Sequence, residues 1–218
     1  IMAIINSLAV GKARNSAGNL TFSTIKGRTI AREKPAYVRN PQTLKQTEQR
    51  EKMTKIVAAW RQFGYQVKHL FTVIAGYGSA YNQFVKLNIS KAKTLVVDAI
   101  TGKVTPIVGL VMGSGKYDSD AIYLSFSETD MAHFNVSSPQ LIDEMQAGDV
   151  FGVIRWNSTS KKFEVYSEEL FDEQIPMLRN GNYLDTDVVV QVNDLYAGYW
   201  YSSARNLSST PILKKREV

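Results

Sequence analysis

Cysteine is absent from this chain of 218 residues. That absence removes disulfides, thiolate nucleophiles and cysteine metal sites together, and it fits synthesis in a reducing cytosol. Histidine is nearly absent too, with only His69 and His133. His69 falls inside a helical apolar pattern and His133 in a strand or loop, so structural roles are expected and no ligand spacing marks a metal site. No apolar run approaches the roughly 18 residues of a membrane-spanning helix. The opening IMAIINSLAVGKARNS has a short apolar stretch without a basic segment before it, so a secretory signal is not expected. Acids are scarce at one end: residues 1–60 hold three of them against eleven Lys and Arg, a net +8, while residues 61–218 carry −2. A basic end on a near-neutral body suggests an acidic partner, either nucleic acid or an acidic protein surface. The bland alternative is a solvated basic face.

What is present reads as a folded protein, 44% hydrophobic and 21% charged. Residues 7–34 contain short strand candidates: LAVGKARN, then NLTFSTI after the turn Ser16-Ala17-Gly18-Asn19, then RTIARE after Lys26-Gly27. Alternation between glycine turns predicts a β-ribbon of two or three strands, marginal alone and in need of a surface. Unpaired backbone groups on such a ribbon would suit strand addition. A helix follows. Asn40 before Pro41 caps it, or Thr43 does so with Gln46 as a capping box. Its apolar positions Met53, Ile56, Val57, Trp60, Phe63 and Val67 make one face, whereas the first turns are polar, so the helix is expected to project before it packs. Gly64 is expected to end or kink it. Helical spacing continues through Val67, Leu70, Phe71 and Ile74, and SAYNQFVKLNIS reads as a helix capped by Ser79.

From Thr94 the period changes. TLVVDAITGKV, TPIVGLVMG, AIYLSFSE, AHFNVS, DVFGVIRWNSTSKKFEVYSE, DVVVQVND and LYAGYWYSS are β-branched and aromatic segments separated by turn residues, the pattern of an antiparallel sandwich. VIRWNSTSKKFEVY is the clearest hairpin, and SSPQLIDEMQAGD reads as a short helix capped by Ser138. The fold class is therefore α+β: an N-terminal β-ribbon over 1–39, a short helical segment over 40–92 and a C-terminal antiparallel β-sandwich over 93–218.

Catalytic motifs do not assemble. GSGK at Gly113–Lys116 lacks the P-loop spacing, since Gly109 falls one residue early and Tyr117 replaces the hydroxyl residue. A hairpin turn is expected there. Asp118–Asp120 and Tyr183–Asp187 do not complete a calcium loop and read as turn aspartates. The run Glu168–Glu173 reads as a solvated edge. In LYAGYWYSS, Tyr199 and Tyr201 share one strand face and Trp200 takes the other, so core is the default and sugar stacking the alternative. No enzyme, cofactor, metal site or small-molecule substrate is expected.

GKARNSAGNLTFSTIKGRTIAREKPAYVRNPQTLKQTEQREKM resembles the N-terminal signature of an uncharacterised bacterial and bacteriophage family. That signature has a glycine ribbon ending Gly18-Asn19, Lys26-Gly27 before a basic strand with Arg32, and an Asn-Pro-x-Thr-x-x-Gln helix opening, here Asn40-Pro41, Thr43 and Gln46. Arg50 falls one residue late for the pattern, and the glycines before Gly18 do not match it. The resemblance covers about 45 residues well and the strand-rich remainder loosely. It implies a non-enzymatic virion component of head, connector or tail, made in the host cytoplasm. Its partners would be copies of itself and other virion proteins, with no membrane. Lys12, Arg14, Lys26, Arg28, Arg32, Lys34, Arg39, Asn40, Gln46 and Arg50 are the expected interaction residues. The alternatives are a DNA-binding protein using the same basic ribbon and a carbohydrate-binding sandwich using Tyr199, Trp200 and Tyr201.

Overall fold

The computed structural model describes residues 2–5, 15–25, 28–35, 37, 41–73 and 78–216. The fold is α+β, and the chain divides into two compact units, Ile1–Leu44 and Lys45–Val218.

The first unit is a four-stranded antiparallel sheet. Its strands are β1 (Met2–Ile5), β2 (Asn15–Ala17), β3 (Leu20–Ile25) and β4 (Arg28–Glu33), in the order β1-β4-β3-β2. Gly18-Asn19 forms the two-residue turn between β2 and β3, with Gly18 at φ 57°, a conformation glycine takes without strain. Ala31 and Thr29 are buried, while Arg32 and Glu33 are exposed. The expected ribbon thus gains a fourth strand, MAII, whose apolar run carries no alternation to betray it. The basic strand β4 lies between β1 and β3, so its backbone is paired on both sides. Among the described residues the sheet edges belong to β1 and β2, so the unpaired backbone expected of the ribbon lies on those two strands and not on the basic strand β4. Of the expected strand LAVGKARN, all but Asn15 lies outside the described residues.

The second unit has three layers. Its middle is an antiparallel sheet of β10 (Lys162–Glu169), β9 (Val150–Asn157) and β12 (Leu195–Ser202), with β13 (Leu207–Ser208) and β14 (Lys214–Lys215) pairing β12. One face is covered by α1 (Leu44–Val67) and α2 (Ala80–Asn88), whose Phe63 and Phe84 share a core with Ile154, Trp156 and Tyr199. The other face meets a second sheet of β11 (Leu184–Val189), β8 (Met131–Val136) and β7 (Ile122–Phe126), with the short helices α3 (Pro139–Glu144) and α4 (Gln174–Arg179). A two-stranded sheet, β5 (Val96–Val97) with β6 (Val104–Thr105), completes the unit. Strand β9 is buried from Phe151 to Trp156 because it is covered on both faces.

Helix α1 begins at Leu44, which puts Thr43 rather than Asn40 at the N-cap position. Its buried stripe is Ile56, Ala59, Phe63, Gly64 and Val67, rotated from the expected face so that Met53 stays exposed. The helix runs past Gly64, correcting the expected break there. A Cβ on Gly64 would stand 2.3 Å from the Trp60 ring, so this glycine makes room for an indole. Beyond Val67 the expected helical run becomes a 3-10 turn over Lys68–Leu70 and then extended chain at Phe71; Ile74 lies outside the described residues. Ser79 caps α2 by accepting from the Asn82 N–H, and Ser138 caps α3 by accepting from Leu141.

Candidate interaction surfaces

Of the ten basic and polar positions singled out in the sequence, Lys12, Arg14, Lys26, Arg39 and Asn40 lie outside the described residues. Arg28 opens β4. Arg32 and Lys34 are exposed, and the Lys34 N–H donates to the Asn19 carbonyl at 2.6 Å, closing the hairpin. Gln46 and Arg50 are exposed on α1 and belong to the second unit. From Leu44 to Lys55 the helix carries no buried residue, and Leu44 is 90% exposed. The first three turns are thus open to solvent on their polar side chains, and the Lys55 ammonium ties their end to the Lys93 carbonyl at 3.1 Å. A concavity of about 510 Å³ runs along α1 past Arg50, Met53, Thr54, Val57, Ala58 and Arg61. Glu48 and Lys52 pair across one turn at 3.0 Å, holding the Glu48 carboxyl below its usual range.

One constellation invites a catalytic reading that the sequence did not suggest. Ser125, His133 and Asp185 stand in register across β7, β8 and β11. The His133 Nδ1 lies 2.7 Å from Asp185 Oδ1, and its ring packs on Tyr183 at 4.3 Å. Acyl transfer needs a serine bonded to the other imidazole nitrogen and N–H donors for an oxyanion. Here the Ser125 hydroxyl accepts from Asn135 Nδ2 at 2.9 Å, and no Ser125–His133 bond occurs among the described residues. The row is a cross-strand polar ladder. Asp185 and Asp187 lie on strand β11, so the expected turn over Tyr183–Asp187 is corrected. The sequence hid this because the partners are far apart and meet only through strand pairing.

The GSGK segment is not a hairpin turn. It runs extended: Ser114 bridges Phe71, and a Cβ at Gly115 would stand 2.0 Å from the Ser208 carbonyl. Its glycines allow close backbone approach, and no helix N-terminus follows to hold phosphate.

The buried carboxylate of Asp194 is internally satisfied. Asp194 accepts from Arg155 Nε at 2.9 Å, from the Ser158 N–H at 2.8 Å and from the Gln191 N–H at 3.0 Å. Burial would raise its carboxyl, but these bonds outweigh it and hold the group below its usual range. Arg205 pairs with Asp149, and Lys116 with Glu144. Burial pushes the Tyr199 hydroxyl up to about 12.

Trp200 is 0% and Tyr199 1% exposed, and they serve opposite cores. Neither presents a ring face to a sugar, and of the three aromatics named for the carbohydrate reading only Tyr201 is partly exposed. Phe171 is 63% exposed within the acidic run Glu168–Glu173. At the turn end of the β9–β10 hairpin a cleft of about 400 Å³ opens among Ile107, Val108, Trp156, Lys161, Leu195 and Lys215. No protein family, no curated protein and no solved structure matches the chain.

Proposed function

We propose that this chain is a non-enzymatic structural subunit that assembles with copies of itself, as a virion component of a bacteriophage would. The observation that carries the reading is the first unit: a compact unit whose described strands form one four-stranded sheet with edges at β1 and β2. A sheet is stable when at least one face is covered by another element, its edges can extend by strand addition, and a neighbouring copy is suited to supply both. The exposed first half of α1 adds a second surface beside a basic end of +8. Sedimentation of the full chain over a wide concentration range tests this. The expected result is a mass that climbs in multiples of 24.4 kDa, with trypsin cleavage after Arg32 slowed in the assembled fraction. A chain that stays at the subunit mass at every concentration, with cleavage after Arg32 equally fast throughout, would refute it.

The second reading is a DNA-binding protein, favoured by the exposure of Arg32 and Lys34 on the basic sheet. It requires duplex affinity that falls steeply with salt and is lost when Arg28 and Arg32 are neutralised together.

A further inference from the structure

Two features of the second unit fit each other. The first is a knob. Phe171 stands 63% exposed between Glu168 and Glu169 on one side and Asp172 and Glu173 on the other, all four acids exposed. Its backbone is pinned on both sides. The buried Leu170 donates its N–H to the Asp149 carbonyl at 2.7 Å, and the Phe171 N–H donates to Gln174 Oε1 at 2.9 Å. A ring held this way loses little freedom when it enters a pocket.

The second feature is the cleft at the turn end of the hairpin. Trp156, Leu195 and Lys215 stand in register across its sheet side, and Val108, 56% exposed, forms its far wall. Lys161 and Lys215 stand at the rim, and neither makes a hydrogen bond or ion pair with a described residue. The nearby Asp98 carboxylate, held by the N–H groups of Ile100 and Thr101 at 2.8 and 3.0 Å, acts on Lys161 electrostatically without forming an ion pair with it. Apolar walls under two unpaired cations suit an apolar side chain with acidic neighbours.

Knob and cleft lie at opposite ends of β10. The cleft adjoins Lys161, just before the strand, and the knob follows Glu169. Eight residues of strand separate them by roughly 27 Å. We propose that copies of this chain join head to tail, Phe171 of one copy entering the Val108–Lys215 cleft of the next while its flanking acids meet Lys161 and Lys215. The contact is heterologous, so it propagates along β10 and builds a ring if the rotation closes or a filament if it does not. The inference rests on the self-assembly reading and adds a surface separate from the N-terminal sheet.

The absence of cysteine makes the test clean. Asp172→Cys and Lys215→Cys are prepared as separate variants and treated with a short bis-maleimide. Each alone has its thiol at one end only and gives little dimer, whereas an equimolar mixture gives abundant cross-linked dimer. Adding Phe171→Ser to the Asp172→Cys copy cuts the dimer yield at least tenfold, with circular dichroism confirming that the variant is folded. Wild type that sediments above 24.4 kDa while the mixture yields no more dimer than either variant alone overturns this interface and leaves the assembly reading standing. Wild type at the subunit mass throughout overturns the assembly reading, and this interface with it.

Discussion

At position 152, in the middle of strand β9, a glycine leaves a gap that Tyr199 fills from the neighbouring strand. The two are directly opposed in register, and the tyrosine hydroxyl reaches past Gly152 to donate to the Tyr166 carbonyl on β10 at 3.1 Å. One ring thereby ties three strands. A Cβ at position 152 would stand 2.0 Å from that same carbonyl, which is backbone and has little room to move. Gly152→Ala should cost about 1–3 kcal/mol and Tyr199→Phe about 1 kcal/mol, read from urea unfolding midpoints. Equal midpoints for Gly152→Ala and wild type would mean the sheet yields without cost. His69 gives a pH test from the same neighbourhood, since it packs against Tyr201 at 5.1 Å. Burial first, and Lys68 second, lower its folded-state value. The unfolded chain therefore binds the proton more readily, near a pKa of about 6.5. Stability is fully present above that value and falls as the pH drops through the lowered folded value. His69→Phe should flatten the decline between about pH 7 and 5; an unchanged slope would place its cause elsewhere.

Helix α1 shows how an element can reverse a local rule. Gly→Ala inside a helix ordinarily stabilises by about 1 kcal/mol. At Gly64 the new methyl would overlap the Trp60 ring, and Trp60 in turn packs on Phe84 at 5.2 Å. Gly64→Ala should therefore lower the unfolding midpoint rather than raise it, and a raised midpoint would show that the indole swings aside freely. The same helix changes character along its length: exposed to Lys55, then buried on one side from Ile56. Amide exchange should be faster over 44–55 than over 56–67 in dilute protein, and should slow over 44–55 when the chain assembles. This element was largely legible in advance, because its polar opening and later apolar spacing are local properties. So were the caps at Ser79 and Ser138 and the hairpin of β9 and β10, whose turn is held by Asn157 Oδ1 accepting from the Thr159 and Ser160 N–H groups. What stayed hidden depends on remote partners. TPIVGLVMG looked like a strand, yet beyond Thr105 it makes only an isolated bridge at Val111. Its backbone bonds go to Leu213 and Pro211 near the other end of the chain. Helix α4 lay behind an acidic run that read as solvated edge. The candidate cleft was illegible for the same reason, since Val108, Lys161 and Lys215 meet only once the strands pair.

For the whole molecule, the issue is whether the helices form a body of their own or one layer of a larger one. The sequence divides them off at residue 93, where the period changes from helical to strand-like. The second unit places Phe63 of α1 stacked on Phe163 of β10 at 4.9 Å, and one core of buried side chains runs without interruption from α1 and α2 into the middle sheet. That sheet shares its opposite face with the smaller sheet through Trp200, Phe151 and Phe134. Neither outer layer can leave without stripping one side of β9 and β12, and strands covered on both faces have no stable half-covered state. The layers should therefore unfold together. Tryptophan supplies the reporters, because Trp60 lies in the helical layer's core and Trp200 in the opposite one. Chains retaining only Trp60 or only Trp200, the other two indoles replaced by phenylalanine, should each be followed in urea by fluorescence, with circular dichroism locating the midpoint of each variant independently. In a single cooperative body the fluorescence and dichroism midpoints coincide within each variant. A Trp60 signal that departs from its own dichroism curve would instead mark the helices as a separately folding segment, and the division at residue 93 would then be physical rather than only a change of period.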